Sequence, residues 1–493
     1  MARPMLPERS LGVGQRHGSI FRNTVFLALG DVAGRVVSLV FFTLAARHLG
    51  VAQFGILSFS LAFVSMFSVL SDLGIGTLAI REIARDRSLA QGLINRGITI
   101  RLLASTVVAI MVVAAAWLLA YPASTVCIVA VCSTTVVTGG ALLFYASVLQ
   151  GFEHNSYTAL ARGGQTAVMI AGALFLARRT PAVVDYASVL AVAGALAALT
   201  VSIVVWRKFA PLAFDFGIRR WLPMLRGAFP FGVATVLVAF YYWSGSTILS
   251  KLAGQSAVGE FGAAYRLVAG VGFLGASFAG AVYPVISRVF ASEPSRWPGA
   301  AGRALRLTLD LAVPQAILGL ALAGPVIGIL YGPGYEGSVR VMMALVWWGA
   351  CATVNSMLSC MLFASDSQRI VTRQAAISVA VSLALNLVLI PRLGALGAAI
   401  ALSVAEAAGT VFLLVSLYSM SPDRRPARVS ASLARAALAS CLAAAVVAFS
   451  ARWHPWAAVA AALPVYAVLL VLFGGVQSED LETLRVELRR VSV

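Results

Sequence analysis

This sequence predicts an all-α polytopic membrane protein of about fourteen transmembrane helices, arranged as two pseudo-symmetric six-helix lobes followed by a C-terminal helix pair. Three observations lead there. Of 493 residues, 60% are hydrophobic and only 11% are charged. A soluble domain carries about a quarter of its residues as Asp, Glu, Lys and Arg, so this composition cannot assemble a water-facing surface. Long apolar runs recur along the whole chain, whose mean hydropathy is +0.91. The 43 glycines and 18 prolines scattered through those runs exclude a single buried core.

A helix needs about 20 mainly apolar residues to cross about 30 Å of hydrocarbon. In order, such runs cover residues 24–46, 54–80, 98–120, 124–149, 157–177, 183–206, 228–250, 260–287, 307–330, 338–364, 372–390, 395–419, 433–451 and 456–475. Residues 1–22 are polar, carry Arg3, Arg9, Arg16 and Arg22, and lack the apolar stretch of a cleavable signal peptide. They read as a cytoplasmic N-terminal tail. Spans one to six make an N-lobe over 23–206, its fifth and sixth members interrupted by Arg178, Arg179 and Pro181. Residues 207–227 set Phe214, Phe216, Ile218, Trp221, Leu222 and Leu225 among Arg207, Lys208, Arg219, Arg220 and Arg226. That is the pattern of an amphipathic linker lying along the inner interface. Spans seven to twelve make a C-lobe over 228–420, residues 421–475 hold the last two spans, and 476–493 form a cytoplasmic tail.

The net charge of +18, from 37 Lys and Arg against 19 Asp and Glu, would point to nucleic acid in a soluble chain. Here the cations occupy short loops between apolar runs, where they set topology. Placing both termini in the cytoplasm puts 27 of them inside and 7 outside, and Arg35, Arg101 and Arg266 within spans complete the 37. The chain is therefore expected N-in and C-in across the cytoplasmic membrane, with lipids rather than nucleic acid as its surface partners. The five cysteines all fall in apolar stretches, which implies neither a disulfide framework nor a metal cluster. His17, His48, His154 and His454 lie at or beyond span ends without metal-ligand spacing. No GxxxxGK[ST] phosphate loop is present. Short outer loops leave no room for the acidic loop that a membrane glycan polymerase or ligase needs. No enzyme activity, catalytic residue, metal or cofactor is expected.

An internal repeat supports the two-lobe reading. Phe54-Gly55 follows a Gly-containing turn at Gly50, and Phe261-Gly262 follows a similar turn at Gly254, 207 residues later and six spans on. Two six-helix bundles of parallel orientation, with a site between them, are the architecture of an alternating-access transporter.

Several motifs resemble a known family. They are Ala45-Ala46-Arg47-His48-Leu49-Gly50 with Phe54-Gly55, then Ser71-Asp72-Leu73-Gly74, then Tyr283-Pro284-Val285-Ile286-Ser287-Arg288, and then Leu385-Asn386-Leu387-Val388-Leu389-Ile390-Pro391-Arg392-Leu393-Gly394. Their order and spacing over residues 20–420 resemble the polysaccharide and oligosaccharide-lipid flippases of the multidrug/oligosaccharidyl-lipid/polysaccharide exporter superfamily. Spans 13 and 14 are similar to the lipid II flippase branch, where the extra pair shapes a groove for a lipid tail. The resemblance implies transport of a polyprenyl-diphosphate-linked oligosaccharide from the inner to the outer leaflet for surface polysaccharide biosynthesis. It also implies functional association with glycosyltransferases and a polymerase.

Charges inside a span are costly and face a cavity or a partner. Asp31 and Arg35 stand one turn apart on span one. Arg35 suits a diphosphate, with Asp31 orienting it or accepting a proton; a self-neutralising pair packed between helices is the alternative. Arg266, two turns into span eight, offers a planar multi-donor head for phosphate oxygens, the alternative being snorkelling to the interface. Glu406, mid-way along span 12 with no Lys or Arg within four residues, suits binding and release of a coupling proton or sodium ion; the alternative is a neutral, hydrogen-bonded carboxyl. Asp72 reads as structural, interacting with the Arg-rich inner loop, and Asp310 as an interfacial partner of Arg306. Tyr241, Tyr242, Trp243, Trp347 and Trp348 suit either sugar stacking or interface anchoring. A cation-coupled multidrug exporter of the same superfamily is the rival function. Intramembrane Arg35 and Arg266 favour an anionic substrate over a cationic drug.

Overall fold

The structure, a computed structural model, describes residues 13–72, 74–209, 211, 213–420, 430–451 and 454–473. Among the described residues every regular element is helical. The helices are α1 (Val13–Ser68), α2 (Ile75–Arg85), α3 (Ala90–Leu118), α4 (Ala123–Gly151), α5 (Asn155–Leu176), α6 (Val183–Lys208) and α7 (Ile218–Leu252), followed by α8 (Gly254–Ser292), α9 (Trp297–Leu330), α10 (Glu336–Ala364), α11 (Gln368–Leu393), α12 (Ala395–Ser419), α13 (Ser430–Ala451) and α14 (Pro455–Leu472). The all-α membrane class is thus as the sequence predicts. The count of about fourteen is not confirmed: 12 stretches among the described residues are long and apolar enough to cross a membrane. The stretch Gly34–Ser71 counts once although it holds most of the first two expected spans, and α7 is not among the twelve.

The reason for the merged stretch is Gly50. Its φ of 70° lies in the left-handed region, where a side chain is strained, and two helical limbs of α1 meet there without an intervening loop. Gly74, at φ 77°, makes a second break. The second expected span, read to residue 80, therefore ends near Ser71, and α2 is a separate amphipathic helix. It buries Ile75, Leu78, Ala79 and Ile83 and exposes Thr77, Arg81 and Arg85, a 3.6-residue pattern that the apolar run had hidden. Before α3, the Asp86 carboxylate accepts hydrogen bonds from the Ser88 N–H (2.9 Å) and hydroxyl (2.6 Å). Those two bonds hold the Asp86 carboxyl below the usual carboxylate range. Between α6 and α7 only 209–217 lie outside helices, so α7 begins inside the segment expected to be linker.

The described residues form two compact units. One runs to Leu49 and resumes over Ser60–Ala239; the other takes Gly50–Phe59 and everything described from Phe240 onward. The first is built around Ile75, Ile83, Ile94, Phe144, Val148, Leu149, Val201 and Val205. The second is built around Trp297, Ala301, Leu305, Met357, Leu358, Met361, Leu413 and Leu417. Helices α13 and α14 belong to this second unit, packing on α9 through Leu318, Ala439, Ala443 and Tyr466. Outward-facing side chains such as Trp117 and Leu463 are 72% and 70% exposed, which hydrocarbon rather than water explains.

Within the second unit, the start of the second α1 limb crosses α8 at backbone distance. A Cβ on Gly55 would collide with the Gln255 carbonyl, and one on Gly259 with the Val51 carbonyl. A Cβ on Gly262 would stand 2.8 Å from Ser58 Oγ. Both Phe-Gly copies of the repeat therefore take part in one crossing, which fits the use of small residues where lipid supplies no hydrophobic drive. Overpacking such a site costs about 1–3 kcal/mol. Gly55→Ala and Gly259→Ala are each expected to lower the thermal unfolding midpoint of the detergent-solubilised protein. Gly270→Ala, where nothing lies within 4 Å, is expected to leave it unchanged, and equal effects at all three positions would contradict the crossing.

Candidate functional site

A carboxylate far inside an apolar helix bundle must bring its own hydrogen-bond donors, because none comes from lipid. Glu406 meets that demand. It is 4% exposed on α12, and each of its carboxylate oxygens accepts a hydrogen bond. Tyr241 Oη of α7 donates to Oε2, and Asn355 Nδ2 of α10 donates to Oε1 at 2.6 Å. The Glu406 carbonyl accepts from Thr410 Oγ1 at 2.9 Å. A tyrosine hydroxyl can donate or accept, so the same partners can hold the charged carboxylate and, with the hydroxyl rotated, the protonated acid. This is the chemistry of reversible cation or proton binding.

Helix α11 adds a second polar feature to the same unit. Gln374, Ser378, Ser382 and Asn386 recur every four residues, and so lie on one face. Gln374 Nε2 donates to Ser378 Oγ at 3.0 Å, Ser378 Oγ to the Ala405 carbonyl at 3.2 Å, and Asn386 Nδ2 to Ser382 Oγ at 3.2 Å. Close approach of α11 to α12 depends on Gly409, where a Cβ would stand 2.6 Å from Ser378 Oγ. Sequence reading missed Asn355 and this stripe. The four-residue spacing was the available signal for the stripe; Asn355 had none.

Arg266 lies on α8 in the same unit as Glu406. Its guanidinium carbon stands 5.6 Å over the Phe54 ring, within cation–π range, and Phe54 meets Tyr335 edge to face. A run of aromatic rings extends from the Glu406 partner to the Arg266 neighbour. Tyr241 contacts Tyr242 at 4.9 Å, Tyr242 contacts Trp348 at 6.2 Å, and Trp348 stacks on Tyr265 at 5.1 Å. Tyr241 and Trp348 are thus buried packing groups rather than an open sugar platform, whereas Trp347 is half-exposed. Arg35 is exposed on the first α1 limb, in the other unit. The side chain of Asp31 lies outside the described residues. The structure therefore brings Arg266 and Glu406 into one unit and places Arg35 in the other.

The first unit holds an ion pair that sequence reading did not assemble. Arg101 of α3 is 3% exposed and donates from Nη1 to Asp72 Oδ1 at 2.6 Å. Asp72 therefore pairs with α3, not with the Arg-rich inner loop. A Cβ on Gly140 would stand 3.1 Å from Arg101 Nε, so a glycine on α4 makes room for the guanidinium. Arg306 and Asp310 of α9 are both buried, and Tyr466 Oη donates to the Asp310 carbonyl at 2.8 Å.

All-α architecture and apolar spans define a polytopic membrane protein. The fold is similar to that of a lipid II flippase, MurJ, described in an inward closed conformation, with a TM-score of 0.74 and 15% identity, covering 91% of this chain and 98% of that one. It is also similar to an inward-facing multidrug resistance MATE transporter of the MOP superfamily, with a TM-score of 0.60 and 13% identity, covering 80% and 98%. The chain belongs to the polysaccharide biosynthesis protein family, whose model matches residues 20–290. A curated relative from Haloferax volcanii, "Probable low-salt glycan biosynthesis flippase Agl15", is 25% identical over 173 residues, which is 35% of this chain. The match spans 37% of that relative's own length.

The Asp72–Arg101 pair carries a prediction with an asymmetry. The Arg101 side chain is 4% exposed and that of Asp72 is 41% exposed. Asp72→Ala strands a buried guanidinium and is expected to cost about 3 kcal/mol or more. Arg101→Met leaves a carboxylate already part-exposed just past the end of the Gly34–Ser71 stretch and is expected to cost about 1 kcal/mol. Unfolding midpoints of the two purified variants check this, and a larger loss for Arg101→Met would contradict it.

Proposed function

We propose that this protein is a flippase that moves a polyprenyl-diphosphate-linked oligosaccharide from the inner to the outer leaflet of the cytoplasmic membrane by alternating access, supplying surface polysaccharide biosynthesis. The observation that carries the reading is Arg266: within the segment that matches the polysaccharide biosynthesis family, a guanidinium is seated inside an apolar span against aromatic rings. Its planar donors suit the oxygens of a diphosphate, and Arg35 supplies a second cation from the first unit. The names of the similar proteins, a glycan flippase and a lipid II flippase, support the same substrate class. On this reading the protein is a transporter rather than a catalyst and works beside glycosyltransferases and a polymerase.

Glu406, with Tyr241 and Asn355, is the proposed coupling site. The carboxylate takes up a proton or sodium ion in one state and releases it in the other, which couples the ion's movement to that of the substrate. A likeness in fold to multidrug transporters keeps cation export as the rival. The two differ in the charge of the cargo.

Reconstituted vesicles carrying a fluorescent polyprenyl-diphosphate oligosaccharide test the proposal. Arg266→Ala is expected to slow flipping by about 10-fold or more, the loss of a charge-assisted contact. Glu406→Gln is expected to leave flipping insensitive to an imposed proton or sodium gradient that accelerates the unaltered protein. Unaltered flipping in both variants, or export of a lipophilic cation in place of the glycolipid, would overturn the assignment.

A further inference from the structure

The described part of the connector between α6 and α7 runs along the first half of α3. Three α3 side chains, four residues apart and so on one face, bind its backbone. Gln91 Nε2 donates to the Pro211 carbonyl at 2.8 Å, the Ala213 N–H donates to Asn95 Oδ1 at 3.2 Å, and the Asp215 N–H donates to Thr99 Oγ1 at 3.0 Å. The two repeats match in length. Two residues of extended chain advance about 6.6 Å and four residues of helix about 6 Å. Arg96 Nε stands 3.7 Å from Asp215 Oδ2, and Trp221 Nε1 donates to the Asp215 carbonyl at 2.9 Å.

Positions 211, 213 and 215 are therefore bound to α3 through their backbone, and the side chains of Phe214 and Phe216 are left uncovered. They are 62% and 64% exposed, with ring centroids 6.2 Å apart. Arg207, Arg219, Leu222 and Arg226 are exposed on either side. Asp215 is the one acidic residue in 207–227, and Arg96 faces it. The membrane-crossing stretch of α6 ends at Lys208, which sets the connector at headgroup depth.

We infer that this connector is a membrane anchor selective for anionic phospholipid: Phe214 and Phe216 enter the leaflet at the level of the glycerol backbones, while Arg207, Arg219 and Arg226 hold lipid phosphates. Clamping of the Pro211 carbonyl and the Ala213 and Asp215 N–H groups to α3 fixes the segment that presents two adjacent aromatic rings to lipid. Cations flanking the rings complement an anionic leaflet. The inference does not depend on what the protein transports.

An environment-sensitive fluorophore on Phe216→Cys tests it, in the full chain with the exposed Cys127 and Cys441 replaced by serine. The protein is reconstituted in phosphatidylcholine vesicles with or without phosphatidylglycerol. The label is expected to be quenched by brominated acyl chains, and more strongly with phosphatidylglycerol present. Retention of phosphatidylglycerol by the purified protein with native Phe216, read by native mass spectrometry, is expected to weaken about fivefold for each of Arg219→Gln and Arg226→Gln. Water-like emission in both vesicle types would overturn the anchor and point to a soluble acidic partner. Quenching equal in both vesicle types, or phosphatidylglycerol retention unchanged in both arginine variants, would overturn the lipid selectivity. So would inorganic phosphate reproducing the effect in phosphatidylcholine alone.

Discussion

In hydrocarbon, a polar group has no water to fall back on, and that constraint shapes the polar groups set among these apolar helices. Glu406 has donors on both carboxylate oxygens. Arg101 reaches Asp72 across a helix surface where Gly140 leaves room. Three of the connector's peptide groups are met by α3 side chains beside the exposed Phe214 and Phe216. In each case the protein supplies locally what solvent would supply elsewhere. Once a polar group is satisfied in this way it is fixed in place.

Glycine is the second means to the same end. At Gly55, Gly259 and Gly262, removal of the side chain lets two helices meet backbone to backbone, and the two copies of a sequence repeat come together in one crossing. At Gly409 and Gly140 it opens room for polar side chains to reach partners on the next helix. In soluble cores such gaps would be filled by larger side chains for their hydrophobic gain. Between membrane helices that gain is absent, and close packing with internal hydrogen bonds takes its place.

Much of the fold was legible because an apolar run long enough to cross a bilayer seldom does anything else. The twelfth span, residues 395–419, coincides with α12. What hydropathy could not show was chain reversal or helix identity within an apolar run. Gly50 joins two limbs with no polar loop, and residues 75–80 continue the hydropathy of the second span although Gly74 starts a new helix. The isolation of Glu406 in the sequence marked it for attention, but its partners come from α7 and α10, 165 and 51 residues away. Arg101 and Asp72 are 29 residues apart with a helix between them. Neither pairing leaves a periodic trace. The α11 stripe does leave one, and its four-residue spacing could have been read from residues 374–386.

The charge of the cargo is the point on which the account turns, and ligand-induced stabilisation measures it most directly. A short-chain polyprenyl diphosphate and the matching alcohol, each added to the purified protein, separate recognition of the diphosphate from recognition of the chain. The account predicts that the diphosphate raises the unfolding midpoint and that the alcohol does not. Equal stabilisation by the alcohol, or stabilisation by a lipophilic cation in preference to the diphosphate, would contradict it.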